Sequence, residues 1–581
     1  LRSLRRGEIN LALVGGVDLN AEPRSLLAQH MLAGEKNTAS FGEGAGALVL
    51  KRESDAQRDG DRIYCLVKGV GHASSDLDGG SGDTLDADAY GQSFEQALTD
   101  ANVGAASISL VDVTDRCRHD DPKHELAWLA ESFHDKRRHH RCALSHSRDL
   151  LGHTGAACGI AGLQRAALCL HYRVLPATPS VGTAEAVEPT EATYGPSESH
   201  YWLRNRHDGP RRALVCGRSV DGSTMHAVLE GVELEEALPP TPLSSPALIA
   251  IRGADQDELL RRLAECRSMV GQLHRSISAY ADAWHRASAN KGPVVVVLVA
   301  TDIEHLSSQL AEAETCVATN ARPTTVGLFF EPNPLYHSGR LAFVFPGSGN
   351  HYAGMTRQLS LRAAALLNRA DDNNDHLLDQ FGDGVFWQND ALDENDHRRL
   401  IFGHVWAGIF VHDIFRLIGI HPDAIIGYSL GETAGLFATG AWSDRDGMLR
   451  RIRSSDLFTS KLGAGREAVR ETWNLGPDDQ VDWQMGVLKR SREVVEKAIA
   501  SNVAEGRLYL LIVNALSECV VGGDGRALQR LADHLDCGIH MIRGVTTVHC
   551  DVARPVADAY RKLHLFKTSP QPSVVHYSCH L

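Results

Sequence analysis

None of the twelve cysteines forms a Cys-x-x-Cys pair, so neither a zinc site nor a disulfide framework is indicated, and a reduced, cytoplasmic setting is expected. Long apolar runs are missing too. The longest clean one, Val294 to Ala300, is far too short to cross a bilayer, and no membrane partner is expected. The N-terminal segment lacks the charged, apolar, small-residue order of a secretory signal; the chain opens at Leu1 in the middle of a pattern and reads as a fragment. Positive charge is in deficit, with 59 Lys and Arg against 73 Asp and Glu and a formal net charge of −14. That balance argues against a nucleic-acid surface, and an acidic protein partner would have to dock on a local basic patch. Histidine, by contrast, is abundant at 29 residues. Many lie in basic runs such as Lys136-Arg137-Arg138-His139-His140-Arg141, which read as solvated faces rather than metal ligands.

A length of 581 residues with 43% hydrophobic content provides for three or so globular domains. Residues 1–232 alternate strand and helix patterns rich in Gly and Ala. Leu11 to Asp18 reads as a short buried strand ending in a turn. The run Gly42-Glu43-Gly44-Ala45-Gly46 enters another strand; without a following Lys-Ser/Thr and helix, it is not a phosphate loop. Asp76 to Asp83 has the composition of a calcium loop but lacks the fifth-position ligand and the closing Glu, and reads as a turn. Leu151-Gly152-His153-Thr154-Gly155 places a His at a turn before a helix of very small residues, which must pack closely against a neighbour. A Pro-rich stretch, Leu238 to Pro246, marks a linker, and residues 233–338 form a connecting module. Within it, strands at Ala247 to Ile251 and Val294 to Ala300 alternate with helices from Asp255 and near His305 to Glu314, with no identifiable chemistry.

Chemistry concentrates in residues 339–581. Ala424-Ile425-Ile426-Gly427-Tyr428-Ser429-Leu430-Gly431-Glu432 is an apolar strand ending in Gly-x-Ser-x-Gly before a helix, the pattern of a nucleophile elbow. The helix N-terminus beside the Ser favours an anionic intermediate. Leu341 to Phe345 is a strand that runs into Pro346-Gly347-Ser348, a turn suited to presenting a backbone N–H to an oxyanion. Strands at Leu508 to Val513 and Glu518 to Val521, a Gly522-Gly523-Asp524 turn and a helix through Asp533 join Met485 to Leu488 in a small βαββαβ insert at about 484–545. His549 follows Ser429 in the chain order of a Ser…His dyad.

Two resemblances organise these pieces. Gly15-Gly16-Val17, Gly42 to Arg52, Gly152-His153-Thr154-Gly155, Leu175-Pro176-Ala177-Thr178-Pro179 and the closing strand pair Ala213 to Leu229 resemble, in order, the C-terminal half of a β-ketoacyl synthase of the thiolase fold. The likeness is incomplete. The family's nucleophilic Cys precedes this chain's first residue, Thr114 stands where its first His is expected, Arg148 replaces a Lys, and only His153 matches. The resemblance therefore implies a degenerate, chain-length-factor-like domain without condensing activity, paired with an active synthase. The Phe345-Pro346-Gly347 turn, the elbow, Val513-Asn514 and His549 resemble malonyl/acyl-CoA:carrier-protein acyltransferases. The combination looks most like the B-type subunit of polyunsaturated fatty acid synthases.

The fold implied is α/β throughout: a thiolase-like C-terminal half, an α/β linker, and an α/β-hydrolase-like core with a ferredoxin-like insert. By family resemblance the acyltransferase part is C-terminally incomplete. The chemistry implied is acyl transfer from CoA to the phosphopantetheine arm of an acyl carrier protein through Ser429, with His549 as base and the N–H groups of Leu430 and Ser348 as oxyanion hole. Asn514 and Arg453 are the implied substrate-binding residues, Arg453 only by a one-residue shift along Arg450-Arg451-Ile452-Arg453. A guanidinium in the cleft would select malonyl-type groups; otherwise a neutral acyl chain is expected. No bound cofactor or metal is implied. Two other readings stay open: a thioesterase using the same dyad with water, and a non-catalytic scaffold that binds carrier protein and synthase.

Overall fold

The computed structural model describes residues 1–19, 22–24, 27, 42–74, 86–113, 122–134, 140–152, 154–178, 190, 192–219, 222–233, 246–270, 276–287, 291–332, 339–381, 393–476, 478–503, 506–569 and 571–579. The candidate calcium-type loop, Thr114, His153 and most of the Pro-rich linker lie outside the described residues. The chain divides into two compact units, Pro240–Leu341 and the remainder.

In the larger unit, β1 (Leu11–Asp18) and β2 (Gly44–Lys51) pair antiparallel. The next elements are β3 (Leu66–Ser74), α1 (Ala87–Ala101), β4 (Leu110–Val113), β5 (Cys142–His146), α2 (Cys158–Tyr172), β6 (Thr193–Tyr194), β7 (Arg212–Arg218) and β8 (Ser223–Glu230). They form a six-stranded sheet of order β3-β8-β7-β4-β5-β6, parallel from β7 to β6 and antiparallel from β3 to β7. Alternation along β4 builds two cores. Val111 and Val113 pack with Tyr90 and Phe94 of α1, while Leu110 packs with Ala166 and Leu170 of α2. α1 starts where the Asp86 carboxylate accepts the N–H groups of Asp88 and Ala89, and ends at Asn102 in the left-handed conformation.

One expectation fails here. β1 is not a buried strand: Leu11, Leu13 and Val17 are exposed. Its apolar residues occupy both faces, and the described elements that pack most extensively on it are β2, α2 and the turn before α2.

The smaller unit holds β9 (Ala247–Gly253), α3 (Gln256–Val270), α4 (Ile277–Ala287), β10 (Val294–Ala300), α5 (Ile303–Thr319) and β11 (Leu328–Phe330). Its antiparallel sheet runs β9-β10-β11, and Ile249, Ile251 and Leu298 meet Leu263, Trp284 and Leu310 from the helices. α4 and β11 are additions to the elements legible in the sequence.

Back in the larger unit, β12 (Ala342–Phe345), α6 (His397–Leu417), β13 (Ala424–Gly427), α7 (Leu430–Ala438) and α8 (Arg445–Arg453) lead to an insert. The insert comprises β14 (Trp483–Leu488), α9 (Arg492–Ala498), β15 (Leu508–Ala515), β16 (Glu518–Asp524), α10 (Gly525–His534) and β17 (Ile539–Ile542); α11 (Ala557–His564) and β18 (Val575–Tyr577) follow. β12, β13 and β18 form a parallel sheet, and α6 lies in the core against it. α6 is long and apolar enough to span a membrane by composition alone, but most of its apolar side chains are buried inside this core. The insert is an antiparallel sheet of order β15-β16-β14-β17 with α9 and α10, which is the ferredoxin-like arrangement. Gly522-Gly523-Asp524, expected as a turn, instead completes β16, and Asp524 caps α10 by accepting the Ala527 N–H. Three cross-strand partners from Trp483 to Met485 hold it in the ladder, which overrides the turn preference of the glycines.

The synthase-like and acyltransferase-like parts share a buried junction. The Asp371 carboxylate, fully buried, takes ion pairs from Arg204 at 3.0 Å and Arg211 at 3.3 Å. Tyr201 donates to Asn368 Oδ1 at 2.7 Å, and Tyr201 and Leu203 belong to the acyltransferase core.

Candidate active site

β13 delivers Ser429 to the tip of a turn, with backbone φ 52° and ψ −112°, ahead of α7. A non-glycine residue holds this conformation only when its surroundings over-determine it. Two contacts do so. The Tyr428 N–H donates to the Phe345 carbonyl at 2.9 Å, tying the elbow to the end of β12. The Tyr428 hydroxyl donates to Asn514 Oδ1 at 2.9 Å, tying it to the insert. The flanking glycines are required by close approach. A Cβ on Gly431 would sit 2.1 Å from the Phe345 carbonyl oxygen, and one on Gly427 would sit 2.2 Å from the Glu432 nitrogen.

The structure brings together Ser429 and His549, 120 residues apart, with Oγ 2.8 Å from Nε2. His549 also has a left-handed backbone, φ 64°. Its segment is pinned by the buried Thr546 and Thr547, and the Thr547 N–H donates to the Leu462 carbonyl at 2.9 Å. Partial burial lowers the pKa of His549, and the Glu432 carboxylate opposes that shift. The ring is thereby biased to the neutral form that can accept a proton.

Leu430 opens α7, where its N–H has no carbonyl of the preceding turn to serve. Ser348 follows Pro346-Gly347 in a loop closed by Asn350 Nδ2 donating to the Gly347 carbonyl at 3.0 Å. The buried His404 of α6 donates from Nε2 to the Pro346 carbonyl at 3.0 Å. Nothing in the sequence singled out His404, one apolar-face histidine within a helix. Glu432 was visible in the elbow motif but its role was not: it accepts the Cys579 N–H at 2.8 Å and the Ser578 hydroxyl at 3.2 Å.

The two expected substrate-binding residues each have partners within the protein. Asn514 reaches the elbow, but its amide holds Tyr428 and donates to Glu518 at 3.0 Å, so it braces the nucleophile's neighbour. Arg453 makes no hydrogen bond or ion pair with Ser429 or His549 among the described residues. Its guanidinium pairs with Asp379 at 2.8 Å, because the last turn of α8 faces the short helix Leu377–Gln380. Burial alone would raise the Asp379 pKa, but His140, Arg453 and Asn205 outweigh it and hold the carboxyl well below its ordinary range. The cluster thus belongs to the junction with the synthase-like part, which supplies His140 and Asn205. His153 lies outside the described residues.

Two family models match the chain. Residues 64–182 match the β-ketoacyl synthase C-terminal domain, and residues 342–495 match the acyl transferase domain. A polyketide synthase of Streptomyces halstedii, GfsE, is 28% identical over 92% of this chain and 14% of its own length. The B-type component of the polyunsaturated fatty acid synthase from a Thraustochytrium species is 26% identical over 98% of this chain and 30% of its own. Among solved structures, a ketosynthase from module 6 of the bacillaene synthase of Bacillus subtilis 168 shares 24% identity over 54% of this chain and 57% of that one, with a TM-score of 0.36. The chain spans between 7% and 30% of the length of the first three curated relatives.

Proposed function

Because the chain joins a β-ketoacyl synthase C-terminal domain to an acyl transferase domain, we propose that it moves an acyl group from a CoA thioester to the phosphopantetheine thiol of an acyl carrier protein. The setting is the synthesis of polyunsaturated fatty acids or polyketides. The observation that carries this reading is the Ser429 Oγ to His549 Nε2 contact of 2.8 Å at the mouth of α7.

In the reading, His549 takes the hydroxyl proton on Nε2, which requires the tautomer with its hydrogen on Nδ1. Ser429 Oγ forms a bond to the thioester carbon, and the oxyanion is held by the N–H groups of Leu430 and Ser348, worth several kcal/mol at the transition state. The C–S bond breaks, and the proton passes from His549 to the departing CoA sulfur. The carrier thiol then gives its proton to His549 and attacks the acyl carbon, the ester C–O bond breaks, and His549 returns the proton to Ser429 Oγ. The engagement of Arg453 by Asp379 supports a donor without a free carboxylate. The synthase-like part is proposed to do no condensation, since Thr114 stands where a His is expected, and to sit next to an active synthase partner.

Intact-mass spectrometry after incubation with acetyl-, malonyl- and octanoyl-CoA tests the reading. One acyl adduct, absent in Ser429→Ala and discharged by phosphopantetheinylated carrier protein, is expected. Discharge by water alone would replace transfer with hydrolysis, and no adduct from any donor would leave a binding scaffold.

A further inference from the structure

A cavity of about 450 Å3 lies between β12, α6 and the segment following the Pro346-Gly347 turn. Phe343, Phe345, Met355, Leu359, Val411 and Phe415 give it an apolar wall. This is within the ~300–1,000 Å3 range of ligand pockets. At roughly 30 Å3 per heavy atom, the share of a water molecule in the liquid, it offers space for about fifteen atoms. The cavity opens to solvent along one side, where Val344, Tyr352, Leu359 and Phe415 in its wall are exposed.

Its position relates it to the dyad. Pro346 and Asn350 line it, and they flank Gly347 and Ser348 of the oxyanion loop. Phe345, another wall residue, accepts the Tyr428 N–H one residue before the nucleophile. The far end reaches Phe415, which is part-exposed. No Lys or Arg is among the described residues that line it; of its two histidines, His404 is turned by its Nε2 toward the Pro346 carbonyl and His412 has its Nδ1 3.4 Å from the Asp413 carboxylate. A carboxylate or phosphate entering there would lose its hydration without gaining a cation. A hydrocarbon chain would lose nothing.

We propose that this cavity receives the hydrocarbon tail of the acyl group, so that the preferred donor is a medium-length, uncharged acyl thioester. The proposal rests on the reading of Ser429 as an acyl carrier. Chain length is then set by α6 and β12, whereas the insert and His549 handle the reacting carbonyl. Gly408 lies in its wall. A Cβ there would lie 3.1 Å from Phe345 Cδ1 and 3.4 Å from Ala434 Cβ, so side chains larger than Gly invade the space.

Two measurements separate this from the underlying reading. The first is the rate of Ser429 acylation by acetyl-CoA and octanoyl-CoA in wild type, Gly408→Val and Val411→Phe. Octanoyl loading is expected to fall by about tenfold or more in both variants while acetyl loading is retained, the discrimination that one or two methylenes confer in an apolar pocket. Equal loss for both donors, or no loss for either, would overturn the cavity's role. The second is calorimetric binding of octanoyl-pantetheine to Ser429→Ala, with and without Val411→Phe, which needs no acylation. Binding that Val411→Phe weakens, together with no Ser429 adduct from any donor, would retain the cavity as a chain site and remove acyl transfer. Binding indifferent to Val411→Phe would overturn the cavity instead.

Discussion

His549 donates or accepts one proton in every step of the proposed cycle, and its surroundings set the pH at which it can. Burial lowers its pKa from 6.5 and Glu432 raises it. The acid limb of the acylation profile should therefore lie below the ordinary imidazole value. Glu432→Gln removes the raising influence, so that limb should move to still lower pH; a shift upward in kcat/KM against pH would contradict the assignment. His549→Ala should slow acylation by about 10^3-fold with the fold intact. A different residue-scale outcome is expected at Gly431. There a methyl group would meet the Phe345 carbonyl, a backbone atom that yields only if β12 and α7 separate. Gly431→Ala should cost about 3 kcal/mol in chemical denaturation and abolish acylation as well.

At the level of elements, the strand, turn and helix around Ser429 were legible because an apolar run, two glycines and an Ala-rich helix each say the same thing locally. The insert was legible for a similar reason, with its strand and helix periods alternating in βαββαβ order. What the sequence does not contain is the destination of a long side chain. Arg453 sits on α8 within a residue of the expected place, yet its guanidinium reaches Asp379, because the facing helix presents a buried carboxylate there. His404 was illegible for the complementary reason: its partner is a backbone carbonyl 58 residues earlier. Exposure of β1 was hidden as well, since apolar residues on both faces read as burial whether or not a second layer covers them. Arg453→Ala should leave the ratio of acetyl to malonyl loading unchanged. It should cost no more than about 1 kcal/mol, since the arginine is half exposed and screened. Asp379 gives the sharper test. Its depressed pKa contributes stability that is present above the unfolded value near 3.9 and is lost as pH falls through the folded one. The Tm gap between wild type and Asp379→Asn should therefore be widest near neutral pH and close on acidification below about pH 4.

For the whole molecule, the junction between the synthase-like and acyltransferase-like parts decides what folds with what. Asp371 has no solvent and depends on Arg204 and Arg211 from the other part. Asp371→Ala leaves two buried guanidinium groups short of their counter-charge, and should cost about 3–5 kcal/mol in differential scanning calorimetry. The larger unit is expected to melt as one transition in wild type and to split or broaden in the variant. A segment comprising residues 339–581 alone would lack Tyr201 and Leu203 from its core.

The Tyr428–Asn514 hydrogen bond has a mechanical consequence. It is a clasp between the nucleophile's neighbour and the tip of the β15–β16 hairpin. A guest that wedges the insert away from the core stretches the clasp and slackens the turn that holds Ser429 in its uncommon backbone geometry. Displacement of the insert and tautness of the nucleophile are therefore opposed, and the insert acts as a tensioner on the turn that holds Ser429.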